Sequence, residues 1–339
     1  MNASLAPASR LAVHSIDHFA LVVPDLDAAE GFFSAFGLRV NRQDGALMLR
    51  AASSDHVWAK ILPGDFKQLG YLALNCYAAD FDALVEQVIA GGARRADAHP
   101  QATHQDGAWF QDPEGNLLQL RVGPKTTTDA RDPERPPPRA NADRGVIDRT
   151  ARQRVEPTRL SHILLFARDV EAQVRFYEST FGLGLSDKSE GIIAFMHGRH
   201  GSDHHLLAFA KSHGRGWHHA SWDVPGFEDV GLGWMQMQEA GYDRVWGPGR
   251  HVLGSNYFCY VQDPWGSFCE YSAHIDYVPA GHVWPGGNYP PEDSLYLWGP
   301  VPLPNFITNT EIHPDQSRAG DDALPAIAEV SPVSNEKGL

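Results

Sequence analysis

Two long stretches of this chain follow the same plan of residue types. SIDHFALVVPDLDAAEGFFSAFGL (15–38) and LSHILLFARDVEAQVRFYESTFGL (160–183) each run from a histidine through an apolar strand and an aspartate into an amphipathic helix. Both helices end in Phe-Gly-Leu, and the copies also close alike, since WFQDPEGNLLQLR (109–121) parallels YVQDPWGSFCEYS (260–272). A repeat of this length predicts a duplicated fold with the same elements in each half.

Each copy is itself bipartite. YLALNCYAADFDALVEQVIAGGA (71–93) and HHASWDVPGFEDVGLGWMQMQEAGY (218–242) again place a strand before a helix that ends at glycine. Four strand–helix–strand units therefore follow one another along the chain, which predicts an α+β fold.

The composition between and after the copies suggests how the chain is divided. Residues 123–158 are rich in proline and charge and poor in apolar side chains, so we expect a linker there. We assign 1–122 to an N-terminal domain and 159–275 to a C-terminal domain. Residues 276–314 keep many aromatic side chains, which predicts an ordered strap over the second copy, and 315–339 are expected to form a flexible tail.

Charge and cysteine content restrict the possible partners. The formal net charge of −14 argues against nucleic acid and anionic membranes, because both require a basic surface. The cysteines are three in number with no CxxC spacing, which indicates buried free thiols in a reducing compartment. No stretch approaches the roughly 18 apolar residues of a membrane span, so we expect a cytoplasmic protein.

Three side chains of the second copy form a candidate metal site. Glu270 lies in the closing hairpin, within the stretch GPGRHVLGSNYFCYVQDPWGSFCEY (247–271), while His162 and His219 lie in the first strands of the two units. If the units pair with pseudo-symmetry, these strands bring the three side chains together. Two imidazoles and one carboxylate suit non-haem Fe(II) with positions open for substrate. His219 is preferred to His218 because it stands directly before the strand residues.

The first copy departs from this set. It keeps His18 but has Tyr71 and Gln119 at the other two positions, so we expect no catalytic metal there. His197, His200 and His213 lie in polar stretches with glycine and are expected to be solvated.

Five motifs in order give the second copy a family resemblance: SHILLF, HHASW, GPGRH, YVQDPWG and the CEY glutamate. With them, the chain resembles the type I extradiol catechol dioxygenases of the vicinal oxygen chelate superfamily over most of residues 11–275. The resemblance implies two domains, each a pair of βαβββ modules in an open mixed-sheet barrel, of which only the second is catalytic. It implies ring opening of a catechol by O2 at Fe(II), with Mn(II) the less favoured metal, in a homo-oligomer.

The resemblance also implies roles for individual residues. The iron ligands fall on His162, His219 and Glu270. The acid–base residue falls on His205, and the contacts to the substrate oxygens fall on His251 and Tyr260. His204 is a rival for the acid–base role, and a regular strand would point it to the opposite face.

Other readings of these features stay open. Tyr260 could be a buried sheet aromatic, and His251 could brace the GPG turn. A glyoxalase-like metal isomerase or transferase, a hydroxyphenylpyruvate-type dioxygenase and a non-catalytic protein that sequesters a ligand belong to the same superfamily. The sequence leaves open whether the catechol is monocyclic, alkylated, bicyclic or trihydroxylated.

Overall fold

The computed structural model describes residues 11–52, 54–131, 140–146 and 148–311. The expected tail, 315–339, lies outside the described residues. Two eight-stranded mixed sheets, one in each copy, dominate the architecture. The α+β class and the duplication are therefore confirmed, whereas the exact domain boundaries stay predictions.

The first copy contains two helices, α1 (Leu26–Ala35) and α2 (Phe81–Ala90), and one sheet in the order β2-β3-β4-β1-β5-β8-β7-β6. Its strands are β1 (Ser15–Val23), β2 (Arg39–Gln43), β3 (Ala46–Arg50), β4 (Ala59–Pro63), β5 (Gln68–Cys76), β6 (Arg94–Arg95), β7 (Ala108–Gln111) and β8 (Leu117–Val122).

The second copy contains α3 (Val170–Ser179) and α4 (Phe227–Glu239) and repeats the topology in the order β10-β11-β13-β9-β14-β17-β16-β15. Its strands are β9 (Arg159–Ala167), β10 (Gly184–Ser189), β11 (Ile193–His197), β12 (Ser202–Asp203), β13 (Leu207–Lys211), β14 (Gly216–Asp223), β15 (Val245–Arg250), β16 (Tyr257–Gln262) and β17 (Phe268–Ala273). A separate two-stranded sheet joins β12 to β18 (Tyr277–Val278), and single 3-10 turns lie at Arg149–Ala151 and Pro291–Asp293.

The repeated sequence plan has a local physical basis. Asp25 and Asp169, which follow the first strand of each copy, cap α1 and α3 by accepting hydrogen bonds from backbone amides of the first turn. Gly37 and Gly182 follow these helices at φ 101° and 69°, in the left-handed region that favours glycine. A Cβ at Gly37 would lie 2.2 Å from the carbonyl oxygen of Val155, so the turn also requires the missing side chain.

Helices and outer sheet faces of both copies share one apolar core. Phe36 of the first copy stacks on Tyr271 of the second with ring centroids 3.9 Å apart, and Phe19 packs on Trp217 at 4.7 Å. Tyr177 of the second copy donates a hydrogen bond to Asp112 of the first. One face of each sheet therefore packs on the common core, and the opposite face of each sheet forms a separate surface.

The C-terminal segment lies over the second sheet. Phe306 is buried against Trp246, Tyr260 and Phe268. At the end of the described segment, Glu311 forms a 2.5 Å ion pair with Lys67, and both side chains are buried. This segment therefore bridges the two copies. Within the described ranges, no helix is both long enough and apolar enough to span a membrane.

Candidate active site

Three neighbouring strands carry the residues of the candidate metal site. In the ladder register, His162 on β9 lies opposite Ser221 on β14, and Ser221 lies opposite Glu270 on β17. His219 lies two residues from Ser221 and therefore on the same face. The structure brings together the three side chains that the sequence nominated, with ligand atoms all within 4.8 Å of one another.

The distances show how tightly this group is assembled. Glu270 Oε2 lies 3.1 Å from His162 Nε2 and 3.6 Å from His219 Nε2, and all three side chains are almost fully buried. His219 Nε2 and Glu270 Oε2 have no hydrogen-bond partner among the described residues. Buried polar atoms are normally paired, so these atoms are suited to hold a cation between them.

An outer layer of hydrogen bonds sets the protonation of His219. The carbonyl oxygen of Phe306 accepts from His218 Nε2 at 2.8 Å, which leaves His218 Nδ1 with a lone pair. That lone pair accepts a hydrogen bond from His219 Nδ1–H at 2.6 Å. The neutral His219 ring therefore has no proton on Nε2, which faces the site as a ligand atom. Burial lowers the pKa of His218 to about 4 and the pKa of His219 well below its usual value. Both imidazoles therefore stay neutral.

Hydrogen bonds orient the His162 ring in the same way, with Nε2 toward the site. Ser161 Oγ donates to Asp203 at 3.0 Å and can therefore accept from His162 Nδ1, 3.1 Å away. This leaves His162 Nε2 without a proton. Outer partners of this kind fix the ring orientation of metal-binding histidines.

Glu270 completes the group as an ionised carboxylate. Asn256 donates to its Oε1 at 3.1 Å. Burial alone would raise the pKa of Glu270, but the proximity of His162, His251 and His219 outweighs burial and holds the pKa well below its usual value. Two neutral imidazoles and a carboxylate fit a divalent metal ion, and they leave the pocket side of the site open.

The remaining nominated residues line the same pocket. The His205 ring lies 4.0 Å from the His162 ring, and burial followed by the nearby histidines lowers the pKa of His205 well below its usual value. His251 accepts from the Tyr260 hydroxyl at 2.9 Å through Nε2 and donates through Nδ1 to the carbonyl oxygen of Leu295. Burial and the Glu270 charge raise the pKa of Tyr260 well above 10, so the phenol stays protonated.

His204 does not reach the pocket. It lies between β12 and β13, where the chain is not a regular strand, and its ring turns toward Asp187. The choice between His218 and His219 is also decided by geometry: His219 Nε2 lies 3.6 Å from Glu270 Oε2, whereas His218 Nε2 is bonded to the carbonyl oxygen of Phe306.

The pocket encloses about 130 Å³. Apolar side chains of the second sheet and of the C-terminal segment form most of its wall, among them Leu164, Phe166, Ile193, Phe195, Leu253 and Phe306. No sequence pattern indicates Asn256, which donates a hydrogen bond to Glu270, or Leu295, whose carbonyl oxygen accepts from His251, because loop residues have no regular spacing. The prediction that His197 is solvated is wrong. Its side chain is 4% exposed, and its Nδ1 lies in a hydrogen bond with Ser186 Oγ at 2.7 Å.

The corresponding face of the first copy is built differently. Tyr71 lies opposite Ala20, as His219 lies opposite Leu164, and Gln119 takes the register position of Glu270. His18 Nε2 bonds the Tyr71 hydroxyl at 2.9 Å.

Comparison with known proteins supports the same assignment. A family model described as Glyoxalase/Bleomycin resistance protein/Dioxygenase superfamily matches residues 159–271, and one described as Glyoxalase-like domain matches residues 18–121. Metapyrocatechase 2 of Cupriavidus necator is 52% identical over 310 residues, which covers 91% of this chain and 96% of the relative.

Solved structures share the fold. The Mn(II)-bound glyoxalase from Novosphingobium aromaticivorans has a TM-score of 0.70 at 24% identity and covers 87% of this chain and 94% of its own. BphC, a halotolerant catechol dioxygenase, has a TM-score of 0.69 at 20% identity and covers 87% and 97%. The match to Metapyrocatechase 2 spans nearly the whole of both chains, and this chain therefore belongs to the extradiol catechol dioxygenases of the Glyoxalase/Bleomycin resistance protein/Dioxygenase superfamily.

Proposed function

We propose that this chain cleaves the ring of a catechol beside one hydroxyl, using O2 and a single Fe(II) held by His162, His219 and Glu270. The observation that carries the proposal is the convergence of these three buried side chains at one end of an apolar pocket. The 52% identity to Metapyrocatechase 2 supports the same reaction class. The product is a ring-opened acid of the muconic semialdehyde type.

The residues fit the metal by their chemistry. Both imidazoles present an unprotonated Nε2, and Glu270 contributes the negative charge that a divalent cation requires. When bound, Fe(II) would favour the deprotonated catechol oxygen and allow the electron-rich ring and O2 to react side by side. Because the outer hydrogen bonds orient the ligand rings beforehand, metal binding requires little rearrangement.

His205 is proposed as the acid–base residue. Its ring borders the metal ligands on the open side of the pocket, and its lowered pKa keeps it neutral before reaction. A neutral imidazole can take the proton of one catechol hydroxyl and return it later to an oxygen that is leaving. Transfer to His205 breaks the substrate O–H bond, leaves the electron pair on oxygen and forms an N–H bond.

Tyr260 and His251 are proposed to position the substrate oxygens. The Tyr260 hydroxyl stays protonated, and its single O–H, which His251 accepts here, can turn to a bound oxyanion instead. Phe195 and Leu253 are placed to contact the ring and exclude water. The first copy is proposed to be non-catalytic and to support the second through the shared core.

The proposal is tested by loading the protein with Fe(II) without oxygen and then adding O2 with substituted catechols. We expect O2 uptake in equal amount to catechol and the appearance of a yellow ring-opened product. Parallel loading with Mn(II) distinguishes the two metals. Failure of every metal-loaded sample to consume O2 with any catechol would disprove the proposed reaction, and a methylglyoxal–thiol adduct turned over without O2 would favour an isomerase.

A further inference from the structure

A chain of hydrogen bonds leads from His205 away from the pocket. His205 Nδ1 lies 3.0 Å from His204 Nδ1, and His204 Nε2 lies 2.7 Å from Asp187 Oδ2. The three side chains are 3%, 0% and 4% exposed, so water does not compete for these bonds. None of the roles described above explains why a carboxylate and a second imidazole are buried behind His205.

The C-terminal segment holds the far end of this chain. The backbone N–H of Gly287 donates to Asp187 Oδ1 at 2.7 Å, and Trp284 Nε1 lies 3.3 Å from Asp187 Oδ2. With His204 these groups form a set of donors around the carboxylate. An ionised carboxylate is a pure acceptor, so the surroundings of Asp187 match its charged form.

The donors determine which nitrogen of each ring carries the proton. Asp187 accepts from His204 Nε2–H, so His204 Nδ1 retains its lone pair. That lone pair can only accept, which places the proton of His205 on Nδ1. The His205 Nε2 atom is then unprotonated and is the ring nitrogen left for a bound molecule in the pocket.

The opposite arrangement is unfavourable at Asp187. If His205 carried its proton on Nε2, His204 would have to donate through Nδ1 and present an unprotonated Nε2 to Asp187. Two lone pairs would then face each other at 2.7 Å in a buried site unless the carboxylate took up a proton. A buried acceptor left unpaired destabilises the folded protein, and more so when it is charged.

We propose that Asp187 and His204 are positioning residues that hold His205 with its Nε2 lone pair directed at the substrate. The inference rests on the proposed function and assigns that site two further residues. His205 then begins the reaction as a base: the substrate O–H bond breaks, its electron pair stays on oxygen, and the proton forms the Nε2–H bond. The resulting imidazolium keeps the hydrogen bond from its Nδ1–H to His204 Nδ1. On the other side of the His204 ring, Nε2–H stays hydrogen-bonded to the charged Asp187 carboxylate.

The first copy provides an internal comparison for this chain. By strand register Asn41 occupies the place of Asp187, because Met48 pairs with Asn41 as Phe195 pairs with Asp187. Two residues before the equivalent strands, Val57 stands in place of His205. His56 stands in the place of His204, but its Nε2 bonds the carbonyl oxygen of Asp17 at 2.7 Å. The fold therefore forms without the carboxylate and without the base that His204 joins in the second copy, which favours a role in the reaction for Asp187.

The proton position is tested directly by NMR of protein labelled with 15N in the histidine rings. Long-range 1H–15N correlation of the Zn(II)-loaded protein near neutral pH distinguishes Nδ1–H from Nε2–H imidazoles. His204→Asn and His205→Asn assign the two rings. We expect Nδ1–H for His205 and Nε2–H for His204 in the unsubstituted protein. The opposite pair of tautomers would overturn the proposal, whether or not the protein cleaves catechol.

Steady-state kinetics of an Asp187 variant provide the second test of the positioning role. Asp187→Asn can turn its amide toward His204 Nε2 and donate to it, which would reverse the protons along the chain. We expect kcat per bound metal to fall about 10- to 100-fold, with KM and metal content nearly unchanged and with the Nε2–H signal appearing for His205. Unchanged kcat and unchanged tautomers would contradict the positioning role.

Asp112→Asn is the matched control. Asp112 is a buried carboxylate that accepts from Gln173, Tyr177 and Asn116, but it lies in the shared core away from the pocket. We expect this variant to lose stability and to keep kcat per metal. If both variants lost kcat equally, the effect of Asp187→Asn would be structural and the proposal would fail. A wild-type protein with the expected tautomers and no ring cleavage would disprove the reaction alone.

Discussion

The two copies build the same sheet around two different polar centres. In the second copy His162, His219 and Glu270 turn their ligand atoms toward one another, and two of those atoms have no hydrogen-bond partner in the described part of the chain. In the first copy the corresponding histidine is bonded through both ring nitrogens. His18 bonds Asp17 at 2.6 Å and Tyr71 at 2.9 Å.

Gln119 shows the same contrast at the third position. Its amide nitrogen donates to the carbonyl oxygens of His104 and Asp106 at 2.9 and 2.8 Å. Glu270, at the equivalent place, accepts one bond from Asn256 and directs its other oxygen into the site. At this position an amide therefore stabilises the sheet in the first copy, whereas a carboxylate leaves the centre of the second copy incomplete without a cation.

The difference teaches which residues the fold requires. Unpaired buried polar atoms cost about 1–3 kcal/mol each. The second copy leaves two ligand atoms unpaired, whereas among His18, Tyr71 and Gln119 of the first copy only Gln119 Oε1 is unpaired, so the cost is larger in the second copy. A bound metal ion recovers that cost in the second copy only, since anything that binds the folded state alone stabilises it.

The largest effect is expected from Glu270→Gln, which gives the second copy the residue of the first. The amide lacks the charge that balances the metal, so metal affinity should fall more than about 100-fold and ring cleavage should fall with it. Metal content after gel filtration and O2 uptake measure the two effects. The far-UV circular dichroism spectrum should not change, because Gln119 supports the same hairpin. Full metal content in this variant would disprove the ligand set.

His205→Asn should separate catalysis from metal binding. Loss of an acid–base group typically costs about 10²- to 10⁴-fold in rate. We expect kcat to fall within that range while metal content stays at one ion per chain, because His205 borders the ligands without belonging to them. The first copy has Val57 at this place and no acid–base group to lose. A variant that lost its metal as well would show that His205 is a ligand.

A third expectation concerns Gln119→Glu in the first copy. The new carboxylate would face two carbonyl oxygens in a fully buried position, and an uncompensated buried charge costs about 3–5 kcal/mol. The unfolding midpoint in denaturant should fall accordingly, and metal content should stay at one ion per chain because Tyr71 remains bonded to His18. Gln87→Glu is the control, since this half-buried amide also donates to two carbonyls but remains near water. A second metal ion in Gln119→Glu would remove the distinction between the copies.

The sequence predicted the part of the site that depends on strand alternation and on the alignment of the two copies. Strand alternation and the internal alignment were enough to nominate His162, His219 and Glu270, and the strand registers agree with the alignment to Tyr71 and Gln119. Each of these positions lies on a regular strand, where the side-chain direction can be derived from the spacing.

Other features depended on contacts between distant segments. His218 receives its acceptor from Phe306, and Asp187 receives donors from Trp284 and Gly287, all about 90 to 100 residues away. No local pattern indicates such contacts. His197 was expected in solvent because glycine and polar residues surround it, yet it is the last residue of β11 and its ring is buried. Local composition therefore failed at His197, whose ring is buried against Gly184 and Ser186 of the neighbouring strand β10.

The smallest effect should be shared by both copies. Burial lowers the pKa of His14 in the first copy and of His197 in the second to about 4, compared with 6.5 when unfolded. The unfolded chain therefore binds more protons between pH 6.5 and 4, so this contribution is complete above 6.5 and is lost as the pH falls. Each histidine accounts for at most about 1.4 kcal/mol of unfolding free energy per pH unit. Denaturant unfolding of the metal-free protein should give a smaller pH slope for His14→Gln and for His197→Gln, by similar amounts. A reduced slope in only one of the two variants would show that the copies differ in acid stability as well as in their polar centres.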